Sequence, residues 1–202
     1  MNNKTIIRFE GVDGDEFKES SIINTTEWLG YLGRCPGITD VTNMGYLYIL
    51  NQDIEFTYKN SKYGVNYKKD EANFTVNTLF EYCEGNEDNS DRLKNNSKQG
   101  DLFSTFFDDD YEGAIYKFNL EWMVVTSPGI SSLIVEPFYR RNASYNICPG
   151  LLNSDKLTEN GEYTSNNQLN PFVVWRRENE ENIVIPSGTP LFQIIPYKRD
   201  LI

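Results

Sequence analysis

The stretch Trp122-Met123-Val124-Val125-Thr126-Ser127-Pro128-Gly129-Ile130-Ser131-Ser132-Leu133-Ile134-Val135-Glu136-Pro137-Phe138 reads as two short apolar strands separated by a Pro-Gly turn. Aromatic and β-branched residues fit a pleated surface, while proline presets φ for a turn and glycine accepts a left-handed one. The same grammar continues downstream. Tyr145 to Cys148, Phe172 to Arg176, Ile183 to Ile185 and Leu191 to Pro196 are short apolar runs, punctuated by Pro149-Gly150 and Pro186-Ser187-Gly188. Upstream, Thr5 to Phe9, Tyr46 to Leu50, Phe74 to Tyr82 and Ala114 to Phe118 read as further strands. Asp53 to Lys59 and Tyr63 to Lys69 flank a tight Asn60-Ser61-Lys62 turn, which predicts a hairpin. Many short strands with frequent turn signals predict an all-β, mainly antiparallel fold of sandwich or barrel-like form.

Composition agrees. Alanine, the best helix former, occurs only at Ala72, Ala114 and Ala143, whereas 13 Tyr and 12 Phe bring the aromatic share to 14%. Helix is expected only as one or two short pieces near the N-terminus. Thr25-Thr26-Glu27-Trp28 caps a turn or two through Leu32, stopped by Gly33 and Pro36, and Gly37 to Met44 offers another. Glu84 to Gly100 holds almost no apolar residues, and Asp108-Asp109-Asp110 follows soon after. A single β-rich domain over residues 1–202 is expected, carrying a polar exposed loop or insertion at about 84–111. Asp108 to Asp110 read as a solvated turn, since no Gly-spaced loop surrounds them as a cation site would require.

The charge and the missing residues narrow the chemistry. A formal charge of −11 disfavours nucleic-acid phosphate and anionic membrane surfaces as partners. Cys35, Cys83 and Cys148 are three and widely spaced, which fits free thiols in a reducing compartment. No apolar run reaches the length of a membrane helix, and Met1 to Phe9 lacks a signal-peptide core, so a protein that is not secreted is expected. There is no histidine. Imidazole-dependent nucleophile pairs, the facial iron triad and most zinc sites are therefore excluded. Carboxylate, Lys or Tyr chemistry remains, or Mg²⁺ held by Asp and Glu. No resident metal or cofactor is expected.

Four blocks carry a family resemblance: Trp122 to Leu133, Pro137-Phe138-Tyr139-Arg140, Pro149-Gly150-Leu151-Leu152-Asn153-Ser154-Asp155, and Ile185 to Arg199. Together with Arg34-Cys35-Pro36 through Gly45-Tyr46, they resemble an uncharacterised family common in tailed phages, marine ones especially, and in some bacteria. The last three blocks are also similar to the β-clip fold of dUTPases and dCTP deaminases. That similarity implies a phosphate-contacting role for Ser131 and Ser132, a nucleoside-binding hairpin from Gly150 to Asp155, and a following strand marked by Gly188 and Gln193. The departures from it are chemical. Asn153 stands where those enzymes carry a carboxylate, and a neutral amide has no basic site to activate water. Lys156 replaces the aromatic residue under the sugar, and Arg199-Asp200-Leu201-Ile202 stand where a Gly-rich arm is expected.

The candidate ligand-binding residues are accordingly Ser131, Ser132, Arg140, Asn153, Asp155 and Gln193, with no catalytic residue assigned. Each also has a plainer reading. The serines cap a strand, Arg140 pairs with surface carboxylates, Asn153 and Asp155 bond within a hairpin, and Gln193 is a satisfied core polar residue. Trp28, Trp122 and Trp175 read as core or interface aromatics. Two functions follow. One is a non-catalytic structural or interaction protein associated with a phage, such as a virion component. The other is a small-ligand or nucleotide-binding β-clip protein, including a Mg²⁺-dependent hydrolase that uses Asp155. Partners expected are copies of the chain, a trimer by resemblance, or other phage proteins, in the host cytoplasm or the virion. Leu191 to Tyr197, apolar on both faces, is the strand expected to need cover from a neighbour.

Overall fold

The computed structural model describes residues 7–11, 22–24, 44–60, 62–82, 112–138, 144–155, 167–177 and 182–199. The two expected N-terminal helices apart from Met44, the loop expected at 84–111, Trp28 and Arg140 all lie outside them. The strands are β1 (Ile7–Gly11), β2 (Ile22–Asn24), β3 (Tyr46–Ile49), β4 (Ile54–Lys59), β5 (Lys62–Asn66), β6 (Phe74–Tyr82) and β7 (Glu112–Leu120). They continue with β8 (Trp122–Thr126), β9 (Ile130–Val135), β10 (Tyr145–Ile147), β11 (Gly150–Leu152), β12 (Phe172–Arg177), β13 (Asn182–Ile185) and β14 (Pro190–Lys198). Every pairing is antiparallel, so the protein is all-β as its composition predicts. The sheets are β1-β8, β10-β12-β7-β6, β11-β9-β14-β3-β2 and β13-β4-β5.

The chain changes sheet at its turns. β8 and β9 do not pair with each other across Pro128-Gly129; β8 joins β1, whereas β9 joins β14 and β11. β3 and β14 leave the five-stranded sheet side by side and continue, through two tight corners, into the paired strands β4 and β13. Backbone bonds hold these corners together: Leu50 N–H donates to Thr189 O at 3.0 Å and Gly188 N–H to Leu50 O at 2.8 Å. Asp53 adds its carboxylate, accepting the Ser187 N–H at 2.7 Å.

The local elements explain most shifts of boundary. β5 ends at Asn66, short of the expected Lys69, because Lys69–Glu71 close into a 3₁₀ turn. Lys59 pairs with Lys62, and Asn60 takes the left-handed φ of 52° that such a turn requires. β9 stops at Val135, short of Phe138, since Pro137 has no N–H to give a ladder.

One cluster of buried apolar side chains draws on all four sheets, from Ile7 and Val124 through Phe56, Ile185, Tyr116, Val173 and Ile194. Its centre is aromatic. Phe56 stacks on Tyr116 with centroids 4.0 Å apart, Tyr48 stacks on Phe192 at 4.8 Å, and Trp175 meets Tyr63 edge to face at 5.6 Å. The buried hydroxyls stay bonded: Tyr48 donates to Asn73 Oδ1 and Tyr116 to Gly64 O. Trp122 and Trp175 are core residues. β14 lies between β9 and β3, and Leu191 to Ile195 are buried in succession, so the chain itself covers both of its faces. At the start of β3, Gly45 has φ of 80°, and a Cβ there would lie 2.0 Å from Ile194 O. Only glycine lets β14 pass this close. Among the described residues no helix is long and apolar enough to cross a membrane.

Candidate functional site

Ser131, Ser132, Asn153 and Asp155 do come together, at the end of the five-stranded sheet where β9 begins and β11 turns away. Register places them: Ser132 lies opposite Leu152 of β11 and Pro196 of β14, and Ser131 opposite Tyr197. The turn after β11 then swings Asn153 to Asp155 across the mouth of the Pro128-Gly129 corner. Two further residues complete the group. Thr126 ends β8, and Arg199 follows β14.

The cluster is closed upon itself. Arg199 grips Asp155 with both guanidinium nitrogens, Nη1 to Oδ1 at 2.7 Å and Nη2 to Oδ2. Asp155 Oδ2 also accepts the Gly129 N–H at 2.8 Å. Arg199 Nη1 reaches Ser131 Oγ at 3.1 Å, and Ser131 passes its own proton to Asn153 Oδ1 at 3.2 Å. A second chain runs beneath, among hydroxyls that are almost wholly buried. Thr126 Oγ1 donates to Ile130 O at 2.8 Å and lies 2.8 Å from Ser154 Oγ, which lies 3.1 Å from Ser132 Oγ. A hydroxyl has one proton. Thr126 spends its own on Ile130, so Ser154 donates to Thr126 and Ser132 donates to Ser154. Asn167 fastens the turn from the far side, its Nδ2 donating to Ser154 O at 2.8 Å.

This arrangement decides what the group can do. The Asp155 side chain is 7% exposed, and its bonds from Arg199 outweigh burial, with the Gly129 N–H adding to them. The carboxyl is held below the ordinary carboxylate range, which makes it a weak base. A Mg²⁺ ion would have to displace a bidentate guanidinium to reach it. Asn153 carries no basic site, and the hydroxyl of Ser131 is used both as donor and as acceptor. The four residues that resemble a nucleotide site form a clasp between two turns and the end of β14.

Gln193 stands apart from them, on β14 opposite Leu47 and Val135. It is 1% exposed; its Oε1 accepts the Phe138 N–H at 3.1 Å and its Nε2 donates to Met44 O. It holds two peripheral segments to the central strand, as its reading as a satisfied core residue expects. Sequence reasoning passed over Arg199, Thr126, Ser154 and Asn167. The polar Thr126 at the end of an apolar strand was a usable signal; nothing local tied Arg199 to a carboxylate far back in the chain.

Among the described residues no group of three His, Cys, Asp or Glu is placed to hold a metal ion. A cleft of about 310 Å³ opens instead beside β11, between Cys148 to Leu152 and Gln168 to Phe172, with Ile134 in its wall. Leu151, 60% exposed, stands at its rim. Comparison with known protein families, with characterised proteins and with solved structures finds no match to this chain.

Proposed function

We propose that the protein is a non-catalytic structural or interaction protein, of the kind the resembling phage family would contribute to a virion. The observation that carries this reading is the closed state of the polar cluster. Asp155, the one carboxylate among the candidate residues, is committed to Arg199 and to the Gly129 N–H. Asn153 offers an amide already bonded to Ser131. The cluster is therefore spent on holding turns together, and a nucleotide would find neither a base nor an open phosphate cradle. The alternative, a nucleotide-binding β-clip protein, rests on the sequence resemblance alone.

Self-association belongs to the same proposal, but β14 is not its surface, because its apolar residues are buried within the chain. Of the exposed large apolar residues, Val184 sits on β13, at the edge of its sheet, and is the surface offered to a second copy. Unpaired edges carrying apolar side chains favour association.

The test is direct. The protein is incubated with dUTP, dCTP and the corresponding ribonucleotides, with and without Mg²⁺. The expected results are no pyrophosphate release above background and no shift in melting temperature. A ligand at about 100 times its Kd would stabilise the fold by roughly 2.7 kcal/mol, so binding would be visible. Turnover abolished by Asp155→Ala would overturn the reading. Mass spectrometry of purified particles of a phage carrying the gene is expected to detect the chain.

A further inference from the structure

We infer that the outer edge of β11 and the cleft beside it receive an extended segment of another protein, which adds a strand to the five-stranded sheet and seats one bulky apolar side chain in the cleft. The inference deepens the interaction reading above and rests on it. Four observations converge on this edge. β11 ends the order β11-β9-β14-β3-β2, and among the described residues no strand pairs with its other side. Such an edge presents backbone N–H and C=O groups to any extended chain that approaches. Leu151, at the centre of β11, is 60% exposed, the largest exposure of any large apolar side chain described.

The cleft is the second half of the surface. Its eleven lining residues include Ile134, Cys148, Leu152, Leu169 and Phe172 and not one charged group, although charged residues make up 24% of the chain. Depletion of charge marks the buried centre of an interface. A volume of about 310 Å³ is at the small end of ligand sites, roughly 300–1,000 Å³, and suits a single side chain better than a nucleotide. Gly150 widens the approach: a Cβ built there meets nothing within 4 Å.

The wall supplies a polar anchor. Asn170 lines the cleft, and its Oδ1 is buried without a hydrogen-bond partner among the described residues. A buried acceptor left unpaired is costly, and a small turn of the amide would offer it to an incoming N–H. An extended peptide has such donors beside its apolar side chains. Charge settles the flanks. A molecule of −11 attracts cationic segments, so the partner carries Lys or Arg on either side of the apolar anchor.

The experiment selects from a displayed library of random nonapeptides on the immobilised full chain and measures the enriched sequences by fluorescence anisotropy. Expected are sequences with one Phe, Leu, Ile or Met between basic residues. Affinity should fall at least tenfold when the anchor becomes Ala or when the backbone N–H groups around it are methylated. Leu151→Asp and Gly150→Val should each weaken binding at least tenfold with unchanged circular dichroism, while Val184→Asp, on another edge, should bind as the parent does. Enrichment no greater than on Leu151→Asp, peptides without an apolar anchor, or binding indifferent to N-methylation would overturn the inference. So would concentration-dependent self-association that Leu151→Asp abolishes without any peptide bound, which would give the edge to a second copy. Nucleotide turnover would sink the non-catalytic reading and leave these peptide measurements intact, so the two failures are distinguishable.

Discussion

Replacing Asp155 by alanine is expected to cost about 2–4 kcal/mol of folding stability, and the figure comes from three consequences of the change. Two charge-assisted bonds from Arg199 disappear, the Gly129 N–H loses its acceptor, and the guanidinium is left beside a largely buried cluster. Hydrogen bonds to charged groups contribute roughly 1.5–3 kcal/mol each, and breaking a buried pair costs about 3–5 kcal/mol. The Asp155 side chain is only 7% exposed but that of Arg199 is 38% exposed, so solvent recovers part of the loss and lowers the fully buried figure to about 2–4 kcal/mol. Asp155→Asn keeps an acceptor for Gly129 and should lose about half as much. Denaturant titration followed by tryptophan fluorescence measures both. A double-mutant cycle with Arg199→Met should show a coupling of at least about 1 kcal/mol. The pH dependence has a definite sign. The folded carboxyl titrates below its unfolded value of about 3.9. Its contribution is therefore complete above that value and is lost as pH falls through the folded one. Asp155→Asn should flatten the loss of stability in that acid window. A change under about 0.5 kcal/mol for Asp155→Ala, or strict additivity with Arg199→Met, would refute the clasp.

Gly45→Ala should destabilise strongly, by about 1–2 kcal/mol for the left-handed φ alone and more for the approach to Ile194 O, as read by thermal melting. Gln193→Leu removes the partner of the Phe138 N–H and the donor to Met44 O, and should cost about 1–3 kcal/mol in the same assay. Burial pushes the Cys148 thiol up to about 12, so in a Cys35→Ser, Cys83→Ser background alkylation near pH 8 should be slow until the protein unfolds, as mass spectrometry would record. Tyr116→Phe loses its bond to Gly64 O while keeping the stack on Phe56, and should cost about 0.5–1.5 kcal/mol by denaturant titration.

The strands were legible because period-two and apolar runs are local. Phe74 to Tyr82 and Trp122 to Thr126 were read with their observed limits. β11 was read as part of a hairpin motif, since Gly150-Leu151-Leu152 has too few residues to show any period. What the sequence hid was which sheet each strand would enter. The Pro128-Gly129 corner looks the same whether its flanking strands pair with each other or part company, and here they part. The candidate cluster was half legible for a similar reason. Resemblance brought Ser131, Ser132, Asn153 and Asp155 together, and register confirms their proximity. Their chemistry turned on Arg199, 44 residues beyond Asp155, whose role follows from where β14 ends in space. The wide apolar run of Leu191 to Ile195 shows in the sequence as needing cover, but the sequence could not say that the chain itself buries both of its faces.

The placement of β14 also sets a clock on biosynthesis. β3 hydrogen-bonds to β14, yet Pro190 emerges 141 residues after Ile49, its partner. At roughly 5–20 residues per second, β3 waits about 7–28 s for the strand that will pair along its other edge. During that interval Leu47 and Tyr48, buried in the finished protein, have only the short strand β2 beside them. The nascent chain is thus a ready client for holding chaperones, and synonymous codons that slow translation between β3 and β14 should lower the soluble yield without altering a single residue of the product.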